Sequence, residues 1–299
     1  MITILRKELA DYFTSIRCFI LFLLALLASA GGLLAAYQGI RGVGSEIGFV
    51  FLNLFTISAE KIPSLAIFIA LFVPIIGIVL GFDAINSERS SGTLNRILSQ
   101  PVYRDSVING KFLAGIVTLG IMIATTMLIV AGYGLRMIGV PPTSEEIIRL
   151  FLYFVFIIIY GGFWMGLAIL FSVLFRSVAI SLLPPLALWI FFGNPVFNPY
   201  ISFIVPAMGK SVEMILLLMR FSPYFLFNEA TMVLLFPQWR GTELLIAPET
   251  ATSYMVLNPL SLGQSILIVW PQLTALIALT LICFAVSYVV FMRQEIRAT

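Results

Sequence analysis

The 299-residue sequence contains no histidine and little charge. Without imidazole there is no His-based acid–base catalysis, no Ser-His-Asp triad, no haem–His ligation and no His-containing zinc site. Charged residues make up only 10% of the chain, where a soluble domain carries roughly a quarter. Apolar residues make up 61%. Water cannot solvate that much apolar surface, so lipid must be the solvent for much of the chain. Cysteine is almost missing too. Cys18 and Cys283 lie in apolar runs near opposite ends and read as small buried apolar residues rather than a disulfide or a metal pair. The net charge of +3 is spread along the chain and forms no basic stripe for nucleic acid.

What is present is a series of long apolar runs. A membrane helix needs about 20 mainly apolar residues. Six segments approach or meet that length: Cys18–Gln38, Pro63–Phe82, Phe112–Leu135, Leu150–Phe175, Val178–Gly193 and Ser265–Met292. The fifth is short and holds Pro184 and Pro185, which predicts a kink or a broken helix. Ala28-Ser29-Ala30 has the form of a signal-peptidase site, but the apolar run continues through Ala36, and Glu8 and Asp11 are unusual in a leader. The first span is therefore expected to stay.

Ahead of it, Ile2, Leu5, Leu9, Phe13 and Ile16 recur at helical spacing, with Thr3, Arg6, Lys7, Ala10 and Asp11 on the other side. That pattern predicts a short amphipathic helix over residues 1–16, suited to the membrane interface. Positive charge sets the orientation. With a cytoplasmic N-terminus, ten of the 17 basic residues fall inside, among them Arg89, Arg96, Arg104, Lys111, Arg176 and Arg293. Both ends are then cytoplasmic and the number of spans is even. The stretch 194–264 holds two short apolar runs, Met214–Met219 and Phe225–Phe236, broken by prolines. It is expected to form helices packed at the outer surface or dipping partway in; an extra pair of spans is the alternative.

One polar stretch interrupts the apolar pattern: NSERSSGTLNRILSQPVYR, residues 86–104. Ser90 or Ser91 is placed to cap a helix, with Leu94, Ile97 and Leu98 on one face and Pro101 ending it. A plain connector needs only a few residues. This link, over 84–110, reads instead as a docking element on the cytoplasmic side. Glu88 and Arg89 are open to pairing with each other, with Arg96 or Lys111, or with a partner. Gly92 suits a tight turn.

These residues carry a resemblance. Glu88-Arg89, Gly92-Thr93-Leu94, Leu98, Gln100-Pro101-Val102, Arg104 and Gly110-Lys111 are similar to the ER-x-x-GTL … L-x-x-PV-x-R … GK signature of ABC-2-type exporter permeases. The nearest branch is that of nitrous-oxide-reductase maturation and multidrug-type permeases. The resemblance extends to the N-terminal Ile4-Leu5-Arg6-Lys7-Glu8-Leu9, to Phe221-Ser222-Pro223 and to the tail Phe291-Met292-Arg293-Gln294-Glu295. It implies an all-α polytopic membrane protein with six transmembrane helices, forming a single permease domain over 1–299. An interfacial elbow helix would carry Leu5, Arg6, Lys7 and Leu9, and residues 194–264 would form an extracellular or periplasmic helical segment.

The partners it implies are ABC ATPase subunits, a second permease copy or paralogue, and membrane lipid. ATP and magnesium would sit on the ATPase, with no cofactor on this chain. Glu88, Arg89, Gly92, Thr93, Leu94, Ile97, Leu98, Pro101 and Arg104 would couple to that ATPase, and Arg176 in the short link Phe175-Arg176-Ser177 would add a second contact. The expected setting is the inner membrane of a prokaryotic-type cell.

Two motifs mislead. Gly209-Lys210-Ser211 ends like a phosphate-binding loop, but Ile204 stands where its first glycine belongs. Gly81-Phe82-Asp83 resembles an intramembrane-protease motif, but no second aspartate lies within a span. The span interiors carry no Asp, Glu, Lys or Arg. Ion-coupled carriers place such groups near the midplane, so the pattern favours a machine powered from outside and a cargo that is apolar or amphipathic. A membrane scaffold passing a conformational signal to an extracellular partner is the alternative. Gly77-x-x-x-Gly81 and Gly162-x-x-x-Gly166 permit close helix packing, within the chain or across a dimer.

Overall fold

The computed structural model describes residues 1–40, 49–59, 62–93, 103–193, 212–237 and 259–294. Among these the regular structure is all helical: α1 Ile2–Thr14, α2 Ile16–Ile40, α3 Asn53–Thr56, α4 Leu65–Gly81, α5 Asn86–Ser90, α6 Arg104–Ile138, α7 Ser144–Leu174, α8 Val178–Phe192, α9 Val212–Met219, α10 Pro223–Leu235 and α11 Leu262–Arg293. Among the described residues five stretches are long and apolar enough to cross a membrane: Ile16–Gly39, Leu65–Ser90, Arg104–Ile138, Ser144–Leu174 and Leu262–Arg293. The shorter α8 is continuous through Pro184 and Pro185 rather than broken there. The chain is a polytopic helical membrane protein.

The helices overrun the apolar windows, and two of them start at polar caps. α6 begins at Arg104, well before the apolar run at Phe112, and stops at Gly139, whose φ of 74° is the left-handed conformation that suits glycine. α7 begins with a capping box in which Thr143 and Glu146 satisfy each other's backbone N–H groups. Ser261 and Gln264 do the same for α11. At about 1.5 Å per residue, α6 is about 52 Å long, longer than the roughly 30 Å hydrocarbon core.

α7 is the central post, and α4, α6, α8, α10 and α11 all pack on it. Its contact with α4 is a small-residue seam. A Cβ on Gly77 would lie 2.6 Å from the Gly161 carbonyl, and one on Gly81 would lie 2.6 Å from the Met165 carbonyl. The Gly77-x-x-x-Gly81 pattern therefore serves packing within the subunit. On the other side of α7, Gly166 lies near Thr280 and Cys283 of α11.

α10 is inserted into the bundle rather than laid on its surface. Ser222 caps it, accepting from the Phe225 N–H while donating to the Phe192 carbonyl at 2.6 Å. Phe227 stacks on Tyr160, halfway along α7, with ring centroids 4.3 Å apart. The helix then climbs until the Leu234 carbonyl meets Arg149 in the first turns of α7. α10, the described part of 194–264 nearest α11, thus packs along α7 within the bundle.

Candidate functional site

One end of the bundle gathers α1, the end of α11 and most of the described polar signature. α1 lies across it, with Ile2 and Phe13 exposed and Glu8 turned inward. This is the pattern of a helix that offers its apolar side to lipid. Leu5 and Leu9 are half-buried, and Arg6 is exposed. Ser15 breaks the helix in an extended conformation, and its hydroxyl accepts from the Cys18 N–H at the start of α2.

Beneath α1, two lysines and two glutamates form a compact quartet. Lys111 Nζ is 3.0 Å from both Glu8 Oε1 and Glu88 Oε1. Lys7 Nζ is 2.9 Å from Glu8 Oε1, 3.1 Å from Glu88 Oε1 and 3.3 Å from Asp11 Oδ2. Burial opposes ionisation of both Lys7 and Glu8. The neighbouring opposite charges and hydrogen bonds outweigh it, raising the Lys7 pKa and lowering that of Glu8. Lys111 and Glu88 are buried, so each needs the other to offset its lost hydration. Arg17 pairs with Asp83, and the Tyr12 hydroxyl donates to the Leu80 carbonyl at 2.8 Å. Together these contacts pin α1 and the start of α2 to α4, α5 and α6. Of the pairings open to Glu88, the structure makes the one with Lys111 and adds Lys7; Arg89 turns elsewhere.

Arg89 donates to the side-chain oxygen of Gln294. Arg104 Nη1 donates to the Gln294 backbone carbonyl at 3.2 Å, and Gln294 Nε2 donates to the Val173 carbonyl at 2.8 Å. One residue after α11 thus holds the last turn of α7 and both roots of the polar link. A second knot joins the α4–α5 corner to the α7–α8 corner. Ser172 Oγ accepts from the backbone N–H groups of Ile85 and Asn86 at 3.1 and 3.2 Å. Ser181 Oγ donates to the Phe82 carbonyl at 2.8 Å. Arg176 is exposed beside this knot.

The start of the expected docking helix is described only as far as Thr93. Ser90 ends α5 and Ser91 caps its C-terminus, their hydroxyls donating back to the Ser87 carbonyl. Gly92 then takes a φ of 70°, which ends that turn. Serine hydroxyls bond backward to a carbonyl as readily as forward to an N–H. Thr93 follows, exposed, with its hydroxyl directed to the Glu88 carbonyl. Leu94, Ile97, Leu98 and Pro101 lie outside the described residues.

Sequence reading missed Gln294, Ser172 and Ser181 as joints. Single polar residues at the ends of apolar helices were the available signal, but their partners are distant in sequence. It also missed the far end, where the guanidinium of fully buried Arg149 holds Glu145, Ser265 Oγ and the carbonyls of Leu234 and Leu260.

A family model described as ABC-2 family transporter protein matches residues 2–296. The chain belongs to that family. Among curated relatives, the "Probable ABC transporter permease protein NosY" of Pseudomonas aeruginosa is 31% identical over 183 residues, covering 60% of this chain and 58% of the relative. The protein of the same name from Stutzerimonas stutzeri is 30% identical over 144 residues, covering 48% and 46%. The chain thus spans about half the length of these relatives. Both relatives carry the name of an ABC transporter permease.

Proposed function

We propose that this chain is the membrane-spanning subunit of an ABC exporter, driven by a separate ATPase that docks at the end holding Lys7, Arg89, Arg104 and Arg176. The observation that carries the reading is the Gln294 joint. A push on the link between residues 93 and 103 loads Arg89 and Arg104, and through Gln294 it reaches α7 and α11 together. Two spanning helices then respond as a unit. That is what switching between inward-facing and outward-facing states requires.

In this reading the chain hydrolyses nothing itself, and ATP and magnesium belong to the ATPase. Two copies, or one copy and a paralogue, enclose the path. Both termini face the cytoplasm of a prokaryotic-type cell, and residues 194–264 face the outside. The uncharged span interiors favour a hydrophobic or amphipathic cargo. The transducer reading, with the outer segment moving an extracellular partner, keeps the same docking end; cargo-stimulated ATPase activity separates the two.

The docking test uses the apolar strip read from the sequence. Leu94→Asp or Ile97→Asp buries a lone carboxylate in the ATPase groove, at a cost of about 4 kcal/mol, roughly a thousandfold in affinity. The variants are expected to lose the co-purifying ATPase while migrating normally on size exclusion, with Asn95→Asp as the control. Retention of the ATPase at parental level by both Asp variants sinks the proposal.

A further inference from the structure

α10 carries into the bundle what the long spans lack. Glu229 lies on it, between Phe227, which stacks on Tyr160, and Leu234, whose carbonyl meets Arg149. Glu229 is 1% exposed. Both its oxygens accept from Arg220, just after α9: Oε1 from Nη2 at 2.6 Å and Oε2 from Nε at 3.3 Å. The pair therefore sits at the depth of the spans, below the capped start of α7. Ionisable groups are costly at that depth, and where they occur they mark the path of a ligand or an ion.

A cavity of about 450 Å³ adjoins this pair, between α10 and α11. That volume is in the range of small-ligand sites. Two contacts fix its level on α11. Ser265, on one side of it, bonds Arg149, and Thr280, on the other, lies near Gly166. Leu226 and Val233 of α10 and Ile268 and Ala275 of α11 give apolar walls; Arg220, Glu229 and Gln272 are the polar members. Arg220 and Ile268 are exposed, so the cavity opens on the flank of the bundle.

Three features define what fits. Among the described residues that line the cavity, Arg220 and Glu229 alone are ionisable, and their charges cancel. A charged ligand would leave an unpaired charge at the depth of lipid, which an uncharged ligand avoids. The bonds to Glu229 use Nε and Nη2 and leave Nη1, on a side chain 51% exposed, for an outside acceptor. Gln272 is 5% exposed, and its amide oxygen has no hydrogen-bond partner. A half-turn of that amide exchanges its oxygen and nitrogen, so it can meet a donor or an acceptor. A hydroxyl is both.

We propose that this cavity binds an uncharged amphiphile whose polar part carries hydroxyl and carbonyl groups. Its apolar body lies between Leu226, Val233, Ile268 and Ala275. Arg220 donates to a carbonyl or hydroxyl oxygen, Gln272 bonds a hydroxyl, and Glu229 holds the guanidinium in place. Taking this ligand as the cargo rests on the exporter reading above; the binding itself does not.

The test uses the purified full chain in phosphatidylcholine nanodiscs. A photoreactive monoacylglycerol, with a diazirine in its acyl chain, is crosslinked and the sites are mapped by mass spectrometry. Crosslinks are expected on the peptides carrying Val233 and Ile268. Under mildly alkaline conditions, monolauroylglycerol is expected to compete about tenfold better than laurate or dodecylammonium, which pair a chain of the same length with one charge. Glu229→Gln leaves the guanidinium unpaired and should make laurate the best competitor. Arg220→Gln should favour dodecylammonium. That variant strands a buried carboxylate, so Glu229→Gln decides the charge logic. Gln272→Leu keeps the ion pair and should weaken monolauroylglycerol about fivefold, the worth of one hydrogen bond.

Equal competition by the three amphiphiles overturns the proposal, as does labelling spread over the exposed face of α2 with none on α10. Competition by free glycerol at matched concentration assigns the site to a soluble polyol and overturns the amphiphile. Folded Glu229→Gln protein with the parental preference also sinks it, because the pair then sets no selectivity. No ATPase is present in this test, so its failure leaves the docking proposal standing, and a failed docking test leaves this binding untouched.

Discussion

A guanidinium with no exposed surface is held by charge-assisted hydrogen bonds at the far end of this bundle. Arg149 Nη2 is 2.8 Å from Glu145 Oε1 and 2.6 Å from the Leu260 carbonyl, while Nη1 reaches the Leu234 carbonyl at 3.1 Å and Ser265 Oγ at 3.0 Å. Arginine suits this position because its planar fork serves several acceptors at fixed angles and it keeps its charge when buried. The acceptors come from α7, the end of α10 and the approach to α11, so one side chain closes the far end. Arg149→Leu removes the donors and leaves two backbone carbonyls buried without partners. The expected loss is about 3 kcal/mol of stability, read as a lower midpoint when detergent-solubilised protein is heated and its monodisperse fraction is followed. Glu145→Gln, at a partly exposed position, should cost much less. A midpoint for Arg149→Leu at or above that of the parent would show that the guanidinium is dispensable.

Between helices, the seam of α4 on α7 depends on absent side chains. The atoms nearest a Cβ on Gly77 or Gly81 are backbone carbonyls of α7, at 2.6 Å, and a backbone atom cannot rotate away. Gly81→Ala is expected to push α4 off α7 and to destabilise the protein by about 2 kcal/mol. Gly132→Ala in α6, with nothing within 4 Å of the added methyl, is the control and should be neutral. Equal thermal midpoints for both variants would mean that the seam tolerates separation. The small-residue pattern was readable in the sequence; which helix it faces was not, because periodicity marks a face without naming its partner. The same limit explains other differences between sequence and structure. Hydropathy located the apolar cores of the spans, whereas polar caps such as Thr143–Glu146 set where the helices end. The candidate residues Lys7, Glu88, Arg89 and Arg104 do meet at one end, but Gln294, which joins two of them, lies 190 residues beyond Arg104.

At the scale of the whole molecule, the contacts order the ends without reference to charge counts. Lys7 near the N-terminus meets Glu88, and Gln294 near the C-terminus meets Arg89. Both terminal regions therefore sit at the end that carries Thr93 and Arg176. Arg149, at the start of α7, marks the opposite end, next to the turn that holds Val140. The proposed cytoplasmic side is the first end, which carries Arg6, Lys7, Arg17, Arg89, Arg104, Lys111, Arg176 and Arg293, on the rule that basic residues are retained in the cytoplasm during insertion. Single cysteines at Thr93, Arg176 and Val140, in a chain with Cys18 and Cys283 replaced by serine, turn this into a measurement. All three positions are exposed, so a membrane-impermeant maleimide reaches each from its own side. In right-side-out vesicles Val140→Cys should label at once, and Thr93→Cys and Arg176→Cys only after permeabilisation. Inverted vesicles should reverse the order. Labelling of Val140→Cys and Arg176→Cys from one side would contradict the bundle geometry itself. Separate labelling with the sides exchanged would keep the geometry, reverse the orientation, and leave the proposed docking end facing away from any cytoplasmic ATPase.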